Sequence, residues 1–597
     1  MASSRSVKDH PPVPRPIESP RRIRKTGARL AAVGLAALLA GCHHGGGGDS
    51  APPLGPDVTV TGKVTFDLVP VANIGGVWQL DYASTVNAPA RGITVQVLNG
   101  ANVVATTTTD DTGAYSLTVA SNQNVYVRAR AEMRRAGTPG WTVGVTDNTQ
   151  GDSLYVYDSQ AFMLGPNGAT VDLHPASGWG GSSYTSARSA APFAILDTVY
   201  DAMQAVLASA PGLSFPTLQI HWSPNNTPTT SATGPYAPTG QIGSTFYASG
   251  YGIYLLGAQD QDTDEYDRSV ITQAWGQYLL DAFGRDDSVV GPSAPGDQLD
   301  MRVAFREGFA TAIAAIVTGD PIYRNTQGPR QAQGFSFNVE GEPATNPNPA
   351  PGWFSERSIH ELIYNLYDSN ANFVPEGSAT QDNVALGFGP LFSVLTSTLQ
   401  TTPAQTSIFA FVNALQQAQP QEQANIDALV QSLGMNSIVD DYGSTETHFG
   451  TPPSPKLTSV YDLVTVNGGA TNVCSLDAFR STASGSIDKL GSRRYVRFSV
   501  PASGTYTLKA AAVNPPAAAD PDLVLHQAGT IGSSTTAPTP ACTQTWQTTP
   551  GVCTESLTTT LSPGNYVLEV YEWTNTTDDP RYPPIGDTCF DVTVSGP

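Results

Sequence analysis

Basic residues are scarce in this chain, and the scarcity excludes a class of partner at once. The 597 residues hold 30 Lys and Arg against 51 Asp and Glu. Eight of the basic residues fall within the first 42 positions, so the rest of the chain carries 22 basic and 49 acidic residues, a net charge of −27. Nucleic acid and anionic lipid surfaces are poor partners for such a field. Long apolar runs are lacking as well. The stretch Leu30 to Leu39 is too short to cross a bilayer as a helix, and no later segment is long enough to do so. There is no G-x-S-x-G nucleophile elbow and no glycine-rich phosphate loop. The histidines at 174, 221, 448 and 526 lie far apart and form no motif. Cysteine is sparse, with 5 in all. A chain of this length is expected to hold more than one domain.

What is present begins with a targeting pattern. Arg21, Arg22, Arg24, Lys25 and Arg29 form a basic region ahead of the apolar run, and Leu39-Ala40-Gly41-Cys42 resembles a bacterial lipobox. The pair Arg21-Arg22 followed by Lys25 also bears a loose resemblance to a twin-arginine export signal. The lipobox implies a lipoprotein signal peptide over 1–42, cleavage before Cys42 and lipidation of that residue, hence a partner in the lipid bilayer through the acyl anchor. His43 then stands where inner-membrane lipoproteins often carry Asp, which implies a bacterial envelope protein of the outer membrane. Residues 43–57, with Gly45 to Gly48, read as a flexible tether. An exported protein with Cys474, Cys542, Cys553 and Cys589 left over is expected to form disulfides. Three pairings are open. The favoured one is Cys542–Cys553, closing a short loop, with Cys474–Cys589 tying the ends of a domain.

Three regions follow the tether. Residues 58–175 alternate in the β manner, with turn signals at Asn99-Gly100 and at Asp110-Asp111-Thr112-Gly113. Their order resembles the carboxypeptidase regulatory-like β-sandwich. Residues 176–189 are rich in Gly and Ser and read as a linker. In 190–452 the apolar residues Phe193, Leu196, Val199, Tyr200, Met203 and Leu207 recur at helical spacing, and strand-like pieces and further helices follow, an α+β pattern. Residues 453–597 return to β. The units Gly504-Thr505-Tyr506-Thr507-Leu508 and Gly564-Asn565-Tyr566-Val567-Leu568 resemble the bacterial pre-peptidase C-terminal domain, also a β-sandwich. The expected fold class is therefore multidomain: a β-sandwich, then an α+β zincin-like domain, then a β-sandwich.

The zincin expectation rests on one helix. Asp267 is placed to cap it and Gly284 to stop it. Gln273 and Gln277 are four apart and share a face. In a zinc peptidase of the H-E-x-x-H type that face holds two imidazoles on the metal, with a Glu after the first as general base. A second helix, capped by Asp300, brings Glu307 on an otherwise apolar face, where a carboxylate needs a partner. The stretch Asp262 to Tyr323 resembles a group of bacterial gluzincin-like exported proteins. It matches their frame at Asp262 to Asp267, Val270-Ile271, Trp275-Gly276, Tyr278, Gly296-Asp297, Leu299-Asp300, Arg302, Ala304-Phe305 and Glu307-Gly308, and Trp353-Phe354-Ser355-Glu356 and Leu362 to Asp368 extend the match. The departures fall on the chemistry, at Gln273, Ala274 and Gln277. A neutral amide is a weak zinc ligand and Ala274 cannot take a proton from water. The resemblance thus implies a peptidase fold with no intact catalytic residue, no metal and zinc lost as a cofactor. It leaves a binding cleft at Gln273, Gln277, Tyr278 and Glu307, in which the two glutamines are expected to hydrogen-bond Glu307 and each other. His360-Glu361 begins a similar motif but ends in Tyr364; a displaced metal site of His360, Glu361 and Glu307 is the minor alternative.

The function expected from this reading is a catalytically inactive, peptidase-like envelope lipoprotein that binds a peptide, protein or envelope component. An active metallohydrolase with a rebuilt site, and a structural or adhesive surface protein, are the competing readings.

Overall fold

The computed structural model describes residues 53–229, 238–289, 291, 293–341, 348, 350–368, 383–446, 459–480, 485–513, 519–527, 535–536, 554–578 and 583–597. The signal region, Cys42, most of the tether, His448 and the Cys542–Cys553 pairing lie outside the described residues.

The chain opens as a β-sandwich-like region. Asp57–Lys63 pairs antiparallel with Ala114–Ala120, and Ile93–Asn99 pairs with both Asn102–Thr108 and Gln123–Arg135. Both sequence turns form. Gly100 adopts φ 60° between the hairpin strands, and the Asp110 carboxylate accepts from the Thr112 and Ala114 amides to close the second turn. The larger sheet does not stop at the region's end. Trp141–Asp147 pairs parallel with Leu218–Trp222, which pairs parallel with Gly252–Leu255, and Phe246–Ala248 completes that edge. One apolar core, from Val60 and Val127 through Trp275 and Phe309 to Phe411, runs through this sheet and the helices beyond it. The segment 176–189, expected as a linker, is packed: Trp179 stacks on Tyr82 with centroids 3.7 Å apart, and Tyr184 meets both rings edge-on.

Four helices matter for the site. Helix α1 (Ala191–Ser209) lies against the large sheet, and its buried face includes Phe193, Leu196, Val199 and Met203. Helix α2 (Arg268–Phe283) packs on α3 (Met301–Thr318), and α3 packs on α4 (Glu356–Tyr367). Asp300 caps α3 as expected, accepting from the Arg302 amide at 3.0 Å. Gly284 ends α2, its amide donating to the Leu280 carbonyl at 2.9 Å. Asp267 precedes α2 but its side chain makes no cap. It turns instead to the Thr326 amide at 2.7 Å and hydroxyl at 2.9 Å. A backbone donor on a neighbouring loop outcompetes the helix's own.

The last region is two sheets around a separate core of Val496, Phe498, Tyr506, Leu508, Leu568, Phe590 and Val592. Arg493–Val500, Gly564–Glu572 and Pro521–Gln527 form the centre of one sheet, and Thr471–Ser475, Thr588–Ser595, Gly504–Val513 and Thr554–Leu561 form the other. The expected bond between Cys474 and Cys589 is present, across facing positions of neighbouring strands. Among the described residues no helix is long and apolar enough to cross a membrane.

Candidate functional site

Helices α2 and α3 approach closely because Gly276 has no side chain. A Cβ there would meet the Ala310 Cα at 2.9 Å. That approach puts the polar face of α2 directly against Glu307. The Gln277 Nε2 donates to Glu307 Oε2 at 2.8 Å. The Gln277 Oε1 accepts twice, from the Tyr247 amide at 3.1 Å and from Arg306 Nη2 at 3.2 Å. Arg306 closes the group: Nη1 reaches Glu307 Oε1 at 2.5 Å and Nε reaches Asp286 Oδ2 at 2.9 Å. Burial works against the guanidinium charge, and Glu307 and Asp286 more than offset it, so its pKa is raised. Glu307 therefore has an amide and a cation as partners.

Gln273 joins a second set of partners. Its Oε1 accepts from the Tyr323 hydroxyl at 2.6 Å, and its Nε2 donates to Thr311 Oγ1 at 3.1 Å. The Thr311 hydroxyl donates in turn to Glu356 Oε1 at 3.3 Å. Gln273 thus bonds neither Gln277 nor Glu307, contrary to the expected mutual pairing, because Thr311, one turn beyond Glu307 on α3, lies opposite it. Burial, and then the charge of Glu307, push the Glu356 carboxyl up to about 7. Ala274 is buried in the core, 3% exposed. Tyr278 is also buried, and its hydroxyl donates to the Pro216 carbonyl at 2.7 Å. That hydroxyl bonds neither Gln277 nor Glu307.

Sequence reasoning therefore placed Gln277 and Glu307 together. It missed Arg306, Thr311, Tyr323 and Glu356. The available signal was position: Arg306 precedes Glu307, and Glu356 opens α4 next to a Ser cap. The alternative trio does not assemble. His360 stacks on Phe337 with centroids 5.5 Å apart, and burial lowers its pKa to about 3; Glu361 pairs with Arg357 at 2.9 Å. The remaining described histidines are held in place elsewhere: His174 by Asp67, His221 by Asp152 and His526 by Glu569. Among the described residues no three His, Cys, Asp or Glu side chains are grouped to hold a metal ion by themselves.

No protein-family model matches this chain, and no curated protein matches it. Solved structures do resemble parts of it. One is the pre-peptidase C-terminal domain of a collagenase from Bacillus anthracis, 12% identical over 22% of this chain and 93% of that one, with a TM-score of 0.14. Another is CorA of Methylomicrobium album BG8, described as a surface-associated copper-binding protein, 11% identical over 23% of this chain and all of that one, also with a TM-score of 0.14.

Proposed function

We propose that this chain is a non-catalytic binding protein of the bacterial envelope, built on a zinc-peptidase-like frame whose metal site has been replaced by a hydrogen-bonded network. It is lipid-anchored through Cys42, at the outer membrane, and its ligand is a peptide, protein or envelope component. The observation that carries the reading is the state of Glu307. Both its oxygens are committed, one to Gln277 and one to Arg306, and the Gln277 carbonyl is committed to two donors. A zinc ion entering there would have to break these bonds and would gain one carboxylate and weak amide donors. No general base stands at Ala274.

The test is a reversion. The full chain carrying Gln273→His, Ala274→Glu and Gln277→His is titrated with zinc beside the native chain. The native chain should hold no stoichiometric zinc and the folded revertant should take it up, the more so with Arg306→Met, which frees Glu307. A folded revertant that stays metal-free, with or without that change, contradicts the peptidase-like alignment.

Glu356 favours a second reading, hydrolysis at a rebuilt site. A partly buried carboxyl with a pKa near neutrality is suited to general acid–base work. Hydrolysis of a peptide or glycan panel that is abolished by Glu356→Gln would establish it.

A further inference from the structure

The loop that leads into α2 concentrates negative charge to a degree its surroundings do not balance. Asp264, Glu265 and Asp267 are at most 1% exposed, and Asp262 stands beside them. Among the described residues one cation is at hand. Arg188 reaches Glu265 Oε1 at 2.8 Å and is also held by the Gly257 carbonyl. Asp267 uses both oxygens on Thr326. Glu265 keeps one oxygen without a partner among the described residues, and Asp262 and Asp264 have no cation at all, though the second of these accepts from the Thr245 hydroxyl. The Oδ1 atoms of both are buried and meet no hydrogen-bond donor among the described residues. Burial pushes both carboxyls up; the charge of Asp267 adds to the rise at Asp262 and that of Asp262 to the rise at Asp264, while a hydrogen bond between the two works the other way at Asp262. Keeping such a pair ionised without a counter-charge is costly.

A second observation comes from another part of the chain. Gln331 is 1% exposed, and its Nε2 donates to the Thr326 carbonyl at 2.8 Å and the Thr263 carbonyl at 3.4 Å. Its amide is thus held against the residue between Asp262 and Asp264. The Gln331 Oε1 and the Thr263 hydroxyl are both buried with no partner among the described residues. Two neutral oxygens therefore share the problem of the two carboxylates: they lack something positive to face. The loop carrying Gln331 is fastened to the acidic loop by Asp260, whose Oδ1 accepts from the Arg330 amide at 2.8 Å.

We propose that this loop binds a divalent cation of the calcium class, with Asp262 and Asp264 as carboxylate ligands and Gln331 as a neutral oxygen ligand. The donors are all oxygen, which suits a hard cation, and they come from two loops in an irregular arrangement. Calcium accepts carboxylates, amide carbonyls, backbone carbonyls and water in such flexible settings, whereas magnesium demands a near-ideal octahedron. Two carboxylates with neutral oxygens make a set different from the three-residue acidic or histidine clusters that are absent among the described residues. The cation would fix the entry of α2 and shares no ligand with the Gln277–Glu307 network, so its presence does not depend on the function proposed above.

The full chain, stripped with EDTA, is titrated with calcium by calorimetry at neutral pH. The expected result is saturable binding, with a melting midpoint about 5 °C higher in calcium than in EDTA. Asp262→Asn and Asp264→Asn should each weaken binding at least about tenfold. Terbium in the native chain should luminesce on tyrosine excitation, since Tyr266 lies within the loop, and calcium should quench it by displacement. This measurement needs no variant to fold. A native chain with no calcium heat, no shift in melting and no sensitised terbium overturns the proposal and assigns a shared proton to the two carboxyls. Binding that survives both substitutions unchanged overturns it too, by placing the cation elsewhere.

Discussion

Arg306 holds Glu307, Asp286 and the Gln277 carbonyl with one planar guanidinium, a task for which a point charge such as Lys is poorly shaped. Replacing it by Met leaves Glu307 with an amide alone in a mostly buried setting. The expected loss is about 3 kcal/mol in urea unfolding. Glu356 supplies a pH-dependent test. Its folded pKa of about 7 lies above its ordinary 4.5, so the folded state favours the protonated form. The stability it contributes is present at low pH and is lost as pH rises from about 4.5 through about 7. Subtracting the Glu356→Gln unfolding curve from that of the native chain should show this fall over that window. A flat difference would contradict the assigned environment. At this scale the sequence exposed Gln277 and Glu307, since helical spacing fixes a face. It did not expose Tyr323 or Glu356, because no local pattern says which distant side chain will meet Gln273.

Two glycines decide how the helices meet. Gly276 lets α2 approach α3, and a Cβ at Gly308 would lie 2.5 Å from the Ile359 Cβ on α4. Both are motif positions in the sequence, and both turn out to serve packing. Gly308→Ala should destabilise by about 1–3 kcal/mol through overpacking, read as a lower denaturation midpoint at unchanged slope. The element boundaries were largely legible: the caps Asp300 and Gly284 follow local chemistry. Asp267 was not, because its partner Thr326 comes from a loop 59 residues away.

Across the whole molecule, the helical region is locked to the last sandwich by buried charge. Glu569 accepts from Arg302 at 3.0 Å, Arg493 at 2.6 Å and His526 at 2.8 Å, and Tyr495 donates to Asp300. Arg302 and Arg493 hold the Glu569 carboxyl well below its usual range against the effect of burial. Glu569→Gln leaves two guanidinium groups short of charge and should cost about 3–5 kcal/mol, splitting thermal unfolding into separate steps for the two parts. Removing Cys474–Cys589, which spans 115 residues, should cost about 2–5 kcal/mol and act on the last sandwich first. The alternating strands and turn residues made the β regions readable. The parallel pairing of Trp141–Asp147 with Leu218–Trp222 was not, since nothing local to either strand names its partner.

The polar face of α2 is expected to hold no zinc. This is tested most directly by elemental analysis of the full native chain after equilibration with excess zinc at neutral pH and removal of the unbound ion. Zinc far below stoichiometric is expected. Stoichiometric zinc that disappears when Glu307 is replaced by Ala would contradict it.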